Sequence, residues 1–424
     1  MGRTVRIFHI SDLHGRSEHG PQGKRARREA PFRWRLIHEE WDKNLAAIQE
    51  DGRAFDLVLF TGDLGDWGHP SDYEIGTELL RRTCSTLRVP LDRLFVVPGN
   101  HDVARATEAH AWNQLRARMA VGGRAASEWM AGGNAPAGFD DAWRDAVLSR
   151  QAALWGAVSA LGRSDLEPRK HAHGRLGYQV QLHLDGMAAP LWIIGLDTAW
   201  LAGDNADHGK LLLTEHQVAL MTAASAGGPL PGCRVALMHH RFADLGDGER
   251  ARRLLADRVD VVLHGHQHEP AVEHWGSPDN KLLVLAAGCL YEGDEQHRYK
   301  NACQVIDLEL SEAGTPERVS IRFRAWDDRN GLFWGDDGLL YRSARHGRLV
   351  LRRQGGAWVV DGRAPAPTSA PWAPAASDVL IGRDGKLAEI AQAITARGPA
   401  GARVAVVAVQ GTEREPDALP DHAQ

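Results

Sequence analysis

Cysteine is scarce. Only Cys84, Cys233, Cys289 and Cys303 occur, with no C-x-x-C pair among them. They read as buried free thiols, which suits a reducing cytosol. Long apolar runs are missing as well. No stretch reaches the ~18 residues that span a bilayer. The opening "MGRTVRIFHISDLH" has neither an apolar signal core nor a small-residue cleavage site. The expectation is a soluble, cytoplasmic chain with no membrane partner. Neither sign of charge dominates: 50 Lys and Arg stand against 55 Asp and Glu, a net of −5. Such a balance does not mark the whole chain as a nucleic-acid binder, but it leaves room for a local basic patch. There is no internal repeat.

What is present is ordinary globular composition, 43% hydrophobic over 424 residues, enough for two or three domains. Short apolar runs read as buried strands: "VRIFHIS" (5–11), "DLVLFTG" (56–62), "LFVVPG" (94–99), "LWIIGLD" (191–197), "RVALMHH" (234–240) and "VDVVLHG" (259–265). Helical patterns lie between them. Ile37, Trp41, Leu45 and Ile48 share one face, and "SDYEIGTELLRRTCSTL" opens with a Ser cap at Ser71 and Glu74 three residues on. This alternation predicts an α/β architecture with helices outside a sheet. Residues 104–170 break the rhythm and read as a helical insertion, placed to lid one edge. The chain from 271 to 353 looks β-rich, so the main domain is expected over 1–355. Residues 356–377, with "APAPTSAPWAPAAS" at 364–377, form a Pro/Ala-rich linker to a short segment, 378–424.

Polar clusters stand at the ends of the strands. In order they are "SDLH" (Asp12, His14), "GDLGD" (Asp63, Asp66), "GNHD" (Asn100, His101, Asp102), "MHHR" (His239, His240, Arg241) and "GHQH" (His266, His268). Consecutive strands of one sheet would deliver them to one edge, where ligands of such folds bind. No cysteine is among them, which argues against a soft-metal site. Imidazole and carboxylate suit Zn, Fe, Mn, Co or Ni. The donors are too many for one tetrahedral ion, and two ions sharing a carboxylate would use them.

In this order, D-x-H, G-D-x-x-D, G-N-H-D, a strand-terminal H-H and G-H-x-H resemble the calcineurin-like metallophosphoesterase superfamily over roughly residues 5–310. The resemblance implies a β-sandwich of two mixed sheets flanked by helices. It implies two divalent metal ions, manganese favoured. One would take Asp12, His14, Asp63 and His268. The other would take Asp63, Asn100, His239 and His266, with Asp63 bridging. His101, oriented by Asp66, would serve the leaving or a non-bridging oxygen, and a metal-bridged hydroxide would attack phosphorus. His264 would be a bystander. Where the family has Pro after the paired histidines, this chain has Arg241.

Residues 15–35 carry Arg16, Lys24, Arg25, Arg27, Arg28, Arg33 and Arg35 against Glu18 and Glu29, a net of +5, with Phe32 and Trp34 interleaved. A basic loop with aromatics beside a phosphoesterase site suits a nucleic-acid strand; the bland alternative is a solvated loop. Arg16, Lys24, Arg25, Arg27 and Arg28, with His240 and Arg241, are the expected substrate contacts, and Trp67 is either a base platform or a packing residue. The tail "LIGRDGKLAEIAQAI…VAVVAVQG" resembles the start of STAND-type NTPase modules. It lacks the P-loop, so no NTPase activity is expected, and a docking role for a protein partner stays open. The pairing resembles bacterial defence proteins with an N-terminal effector enzyme. The expected function is a metal-dependent phosphodiesterase, with nucleic acid the favoured substrate. The alternatives are a cyclic-nucleotide or small-molecule phosphodiesterase or phosphatase, and a non-catalytic phosphoesterase-fold interaction module.

Overall fold

A computed structural model describes residues 2–168, 175–224, 227–276, 281–291, 300–327, 333–344 and 346–361, all within one folded unit, residues 1–362. The expected 378–424 segment and most of the linker lie outside the described residues. The apolar runs form strands that sort into two mixed sheets. The first has the order β14 (Ala357–Val360), β13 (Arg348–Gln354), β11 (Pro316–Asp327), β10 (Ala302–Leu310), β1 (Arg3–Ile10), β2 (Leu57–Phe60) and β3 (Leu94–Val96). A short β12 (Phe333–Asp336) pairs with β11 off this path. The second has the order β4 (Gly177–Leu182), β5 (Leu191–Leu196), β6 (Cys233–Leu237), β7 (Val261–His264), β9 (Lys281–Ala287) and β8 (Pro270–Gly276). β1, β2 and β3 run parallel, as do β5, β6, β7 and β9.

Side-chain alternation along these strands builds two cores. On β6, Val235 and Leu237 join Val5, Ile7, Leu57 and Leu59 of the first sheet between the layers. Ala236 faces the other way, into a second core with Ile194, Val262 and Leu282. A strand buried on both faces reads as a continuous apolar run, which is why "RVALM" shows no period of two.

Helices cover both outer faces: α1 (Gly23–Trp34), α2 (Glu40–Ile48) and α3 (Tyr73–Leu87); α4 (Ala109–Met130), α5 (Asp141–Ser149) and α6 (Ala152–Ala160); α7 (Glu215–Met221) and α8 (Gly248–Ala256). Ile37, Trp41, Leu45 and Ile48 are all buried, the first in a π-helical turn, Arg35–Glu39, leading into α2.

The structure departs from the sequence expectations in several places. Ser71 does not cap α3. It lies in the 3-10 turn Pro70–Asp72 and pairs with the His69 ring at 2.8 Å, because Pro70 starts a separate turn. The basic 15–35 stretch is not a loop, since α1 occupies most of it. The linker begins later than expected, because Ala357–Val360 pairs with β13. The insertion is shared between the cores: Trp112, Leu115 and Trp129 of α4 pack in the second core, whereas Leu154 and Val158 of α6 pack in the first. All four cysteines are buried. No helix among the described residues is long and apolar enough to cross a membrane.

Candidate metal centre

Five strand ends meet at one face, and they come from both sheets. β1, β2 and β3 deliver Asp12 and His14, Asp63, and Asn100. β6 and β7 deliver His239, His266 and His268. The expectation of one sheet edge is therefore corrected: the donors converge across the sandwich. Each parallel strand stops just before its donors, and the chain then turns sharply. Asp12, His14, Asp63, His266 and His268 all have positive φ, between 49° and 69°. Such conformations cost on the order of 1–3 kcal/mol each in a non-glycine residue.

The glycines of two motifs follow from close approach. A Cβ on Gly99 would lie 2.1 Å from Asp63 Oδ1, and one on Gly265 would lie 2.5 Å from Asp12 Oδ2. Asp102, expected as a local partner, accepts the backbone N–H groups of Asp63 (2.8 Å), Gly65 (3.0 Å) and Gly99 (2.9 Å), and so ties the second and third motifs together.

At one end of the cluster His268 Nε2 lies 3.2 Å from Asp12 Oδ1 and 3.3 Å from His14 Nε2. At the other, His239 Nε2 lies 3.2 Å from Asp63 Oδ2 and 3.1 Å from Asn100 Oδ1. Donor atoms of Asp12, Asp63 and His239 all fall within 4.8 Å of one another, as do those of His14, Asp63 and His101, and of His239, His240 and His266. Asp63 belongs to two of these groups and stands between the ends. His239 Nδ1–H donates to the Thr61 carbonyl (2.7 Å), which leaves Nε2 to face two oxygens. A lone pair pointing at two oxygens is tolerable only with a proton or a cation between them. The clustered imidazole and carboxylate donors could therefore hold divalent metal, with Asp63 shared between groups.

The electrostatics agree with that fit. Burial pushes the Asp63 carboxyl up, but the His239, His101 and His14 rings outweigh it and hold its pKa well below the usual range. Burial and neighbouring rings hold His14 well below its ordinary value and bring His266 to about 4, so both are neutral ligands at pH 7. His239 goes the other way. Asp63 and Asp12 outweigh its burial and raise it to about 9.

Sequence reasoning missed a sulfur. Cys289, just past β9, has Sγ within 4.8 Å of donor atoms of His14 and His268. The absence of cysteine from the motif set was thus no guide to the cluster, because β9 is the parallel neighbour of β7 and the sequence does not show that pairing.

His101 Nδ1–H donates to Asp66 Oδ1 at 2.6 Å. The expected substrate contacts divide. Arg16 is corrected: it is 3% exposed and its guanidinium is spent on Asp66 and Glu29, so it does not face substrate. Arg25 is half-buried against Glu29 at 2.6 Å. Lys24, Arg27 and Arg28 are exposed on the outer face of α1. Arg241 is fastened to Asp244 at 2.8 Å. His240 is buried, with Nδ1 on Thr198 Oγ1 at 2.9 Å, and it lines a recess of about 290 Å³ above the cluster. Trp67, Asn100, His101, His266 and residues Asp204, Asn205, Asp207 and His208 line the same recess. Arg105 is there too, its guanidinium 4.4 Å over the Trp67 ring. Among described residues Arg105 is the insertion's only contribution to this lining, so its helices do not cap the recess. They buttress it from behind: Arg116 of α4 holds Asp207 at 2.7 Å.

Residues 5–152 match the family model described as calcineurin-like phosphoesterase. No curated protein matches the chain. Similar solved structures include sulfate thiohydrolase SoxB of Thermus thermophilus, at 14% identity and a TM-score of 0.38, covering 75% of this chain and 56% of SoxB. Vps29 of Cryptosporidium parvum is 10% identical at a TM-score of 0.31, covering 78% of this chain and 97% of Vps29. A predicted phosphoesterase of Streptococcus pneumoniae is 12% identical at a TM-score of 0.26, covering 79% and 97%. The chain thus spans little more than half of SoxB.

Proposed function

We propose that this chain, which carries a calcineurin-like phosphoesterase domain, hydrolyses phosphodiester bonds, with nucleic acid the favoured substrate. The family is generally one of metal-dependent hydrolases. The observation that carries the reading is the convergence of two imidazole–carboxylate donor sets on Asp63. Two divalent ions bound there would supply a nucleophile at neutral pH and neutralise charge on the phosphoryl oxygens. The chain's own residues do the rest. Asn100 and His101 line the recess in which the phosphate would sit. With Nδ1–H committed to Asp66, His101 in its protonated form presents Nε2–H as the proton donor to the leaving alkoxide. The exposed Lys24, Arg27 and Arg28 on α1 support a polyanionic substrate.

A smaller diester, such as a cyclic nucleotide, is the second reading. The limited volume of the recess favours it.

Purified protein with Mn²⁺, Ni²⁺, Co²⁺ or Zn²⁺ should release nitrophenol from bis-p-nitrophenyl phosphate, and Asp63→Ala should abolish both turnover and metal binding. No release with any ion would favour a non-catalytic interaction module. Parallel assays on single-stranded DNA, RNA, duplex DNA and cyclic nucleotides separate the substrate readings.

A further inference from the structure

Arg16 and Gln22 point to a device that the motif set does not contain. Asp66 is 1% exposed, and both of its carboxylate oxygens are used. Oδ1 accepts His101 Nδ1–H at 2.6 Å. Oδ2 accepts Arg16 Nε–H at 2.8 Å and the Gln22 amide Nε2 at 2.8 Å. A carboxylate held on one oxygen can swing about its terminal torsion, which is broad and soft. One held on both oxygens cannot.

Arg16 is fixed in turn. Its Nη1 reaches Glu29 Oε2 at 3.3 Å, and Glu29 Oε1 also accepts Arg25 Nε–H at 2.6 Å. Glu29 is a glutamate of α1 with a side chain 1% exposed. A buried carboxylate is sustained only by partners of this kind. The chain of contacts therefore runs from α1 through Glu29, Arg16 and Asp66 to the ring of His101.

We propose that Arg16 and Gln22 are positioning residues for His101: with Glu29 behind them they lock Asp66, and Asp66 aims the imidazole at the leaving oxygen. The proposal rests on the phosphodiesterase reading above. It moves Arg16 from substrate contact to support, and it gives the inner face of α1 a role distinct from its outer cations.

The test uses leaving-group dependence. A proton donor matters little when the departing phenol is acidic and greatly when it is basic. A series of aryl phosphodiesters, from nitrophenyl to unsubstituted phenyl, is assayed with wild type, His101→Ala, Gln22→Ala and Arg16→Lys, and bound metal is measured on each. Arg16→Lys and Gln22→Ala are chosen because Arg16→Ala would strand two buried carboxylates and endanger the fold. Both variants should keep their metals. Their losses should grow with leaving-group basicity, by ~10-fold more on the phenyl than on the nitrophenyl ester, in the same direction as His101→Ala. Equal losses across the series, loss of metal, or a wild type no less sensitive to the leaving group than His101→Ala would overturn the proposal. A wild type inactive on every ester would overturn the phosphodiesterase reading, and the proposal with it.

Discussion

His239 illustrates how one side chain can report on the whole centre. Its Nδ1–H is committed to Thr61, and its Nε2 faces Asp63 and Asn100. Without a cation a proton must sit there, and its pKa rises to about 9. Binding a divalent ion to Nε2 expels that proton. Metal affinity should therefore rise with pH up to about 9 and level off above it. Calorimetry at pH 7 in buffers of different ionisation enthalpy should detect release of about one proton per chain from this group. Heats that do not depend on the buffer would contradict this. Gly99 gives a steric test. In Gly99→Ala the new methyl would collide with Asp63 Oδ1 and with the Asp63 backbone nitrogen, 2.4 Å away. The expected result is loss of bound metal and of turnover, with a stability loss of ~1–3 kcal/mol, measured by metal analysis and thermal melting.

At the scale of the element, α1 carries two chemistries on two faces. Outward it shows Lys24, Arg27 and Arg28; inward it buries Glu29. If the outer face meets nucleic acid, neutralising those three cations should weaken binding and flatten its salt dependence by up to ~0.7–0.9 log unit for each phosphate no longer neutralised. An unchanged slope in a salt titration would remove the helix from the interface. Breaking the inner face with Glu29→Ala should cost ~3–5 kcal/mol, read from urea unfolding.

The same helix shows where sequence reading stops. "GPQGKRARREAPFRWR" has helix breakers and a charge run, and nothing in it reveals that Glu29 is buried against Arg16. β12 and β14 were missed because "FWGD" and "AWVV" are four-residue strands without a period to detect. The strands β1, β2, β6 and β7 were legible for the opposite reason. They are buried on both faces and end at polar residues. The motif residues were readable as types and order. Their left-handed backbone was not, nor was the approach of Cys289, because both depend on which strands become neighbours.

For the whole molecule, a buried carboxylate outside the motifs themselves adds a dependence on pH. Burial raises the Asp197 carboxyl to about 7, even though it accepts the Ala199 N–H at 2.8 Å. Unfolded, it ionises near pH ~4. Between these values the folded state holds the extra proton, so stability is full below the lower pKa and falls as pH rises through the upper one, by up to ~4 kcal/mol. Asp197→Asn should flatten that decline and raise the melting temperature at pH 8; a melting profile against pH that matches wild type would refute the assignment.

The placement of the donors has a mechanical consequence. Four of the proposed ligands hang from one sheet and three from the other, and apolar packing between the layers, with a few hydrogen bonds such as that of His239 to Thr61, keeps them in register. A slip of ~1 Å between the layers would part the ligands while each sheet kept its own hydrogen-bonded ladder. In rising urea, turnover should therefore disappear before the circular dichroism of the strands changes, so that the catalyst acts as a gauge of how firmly its two halves grip.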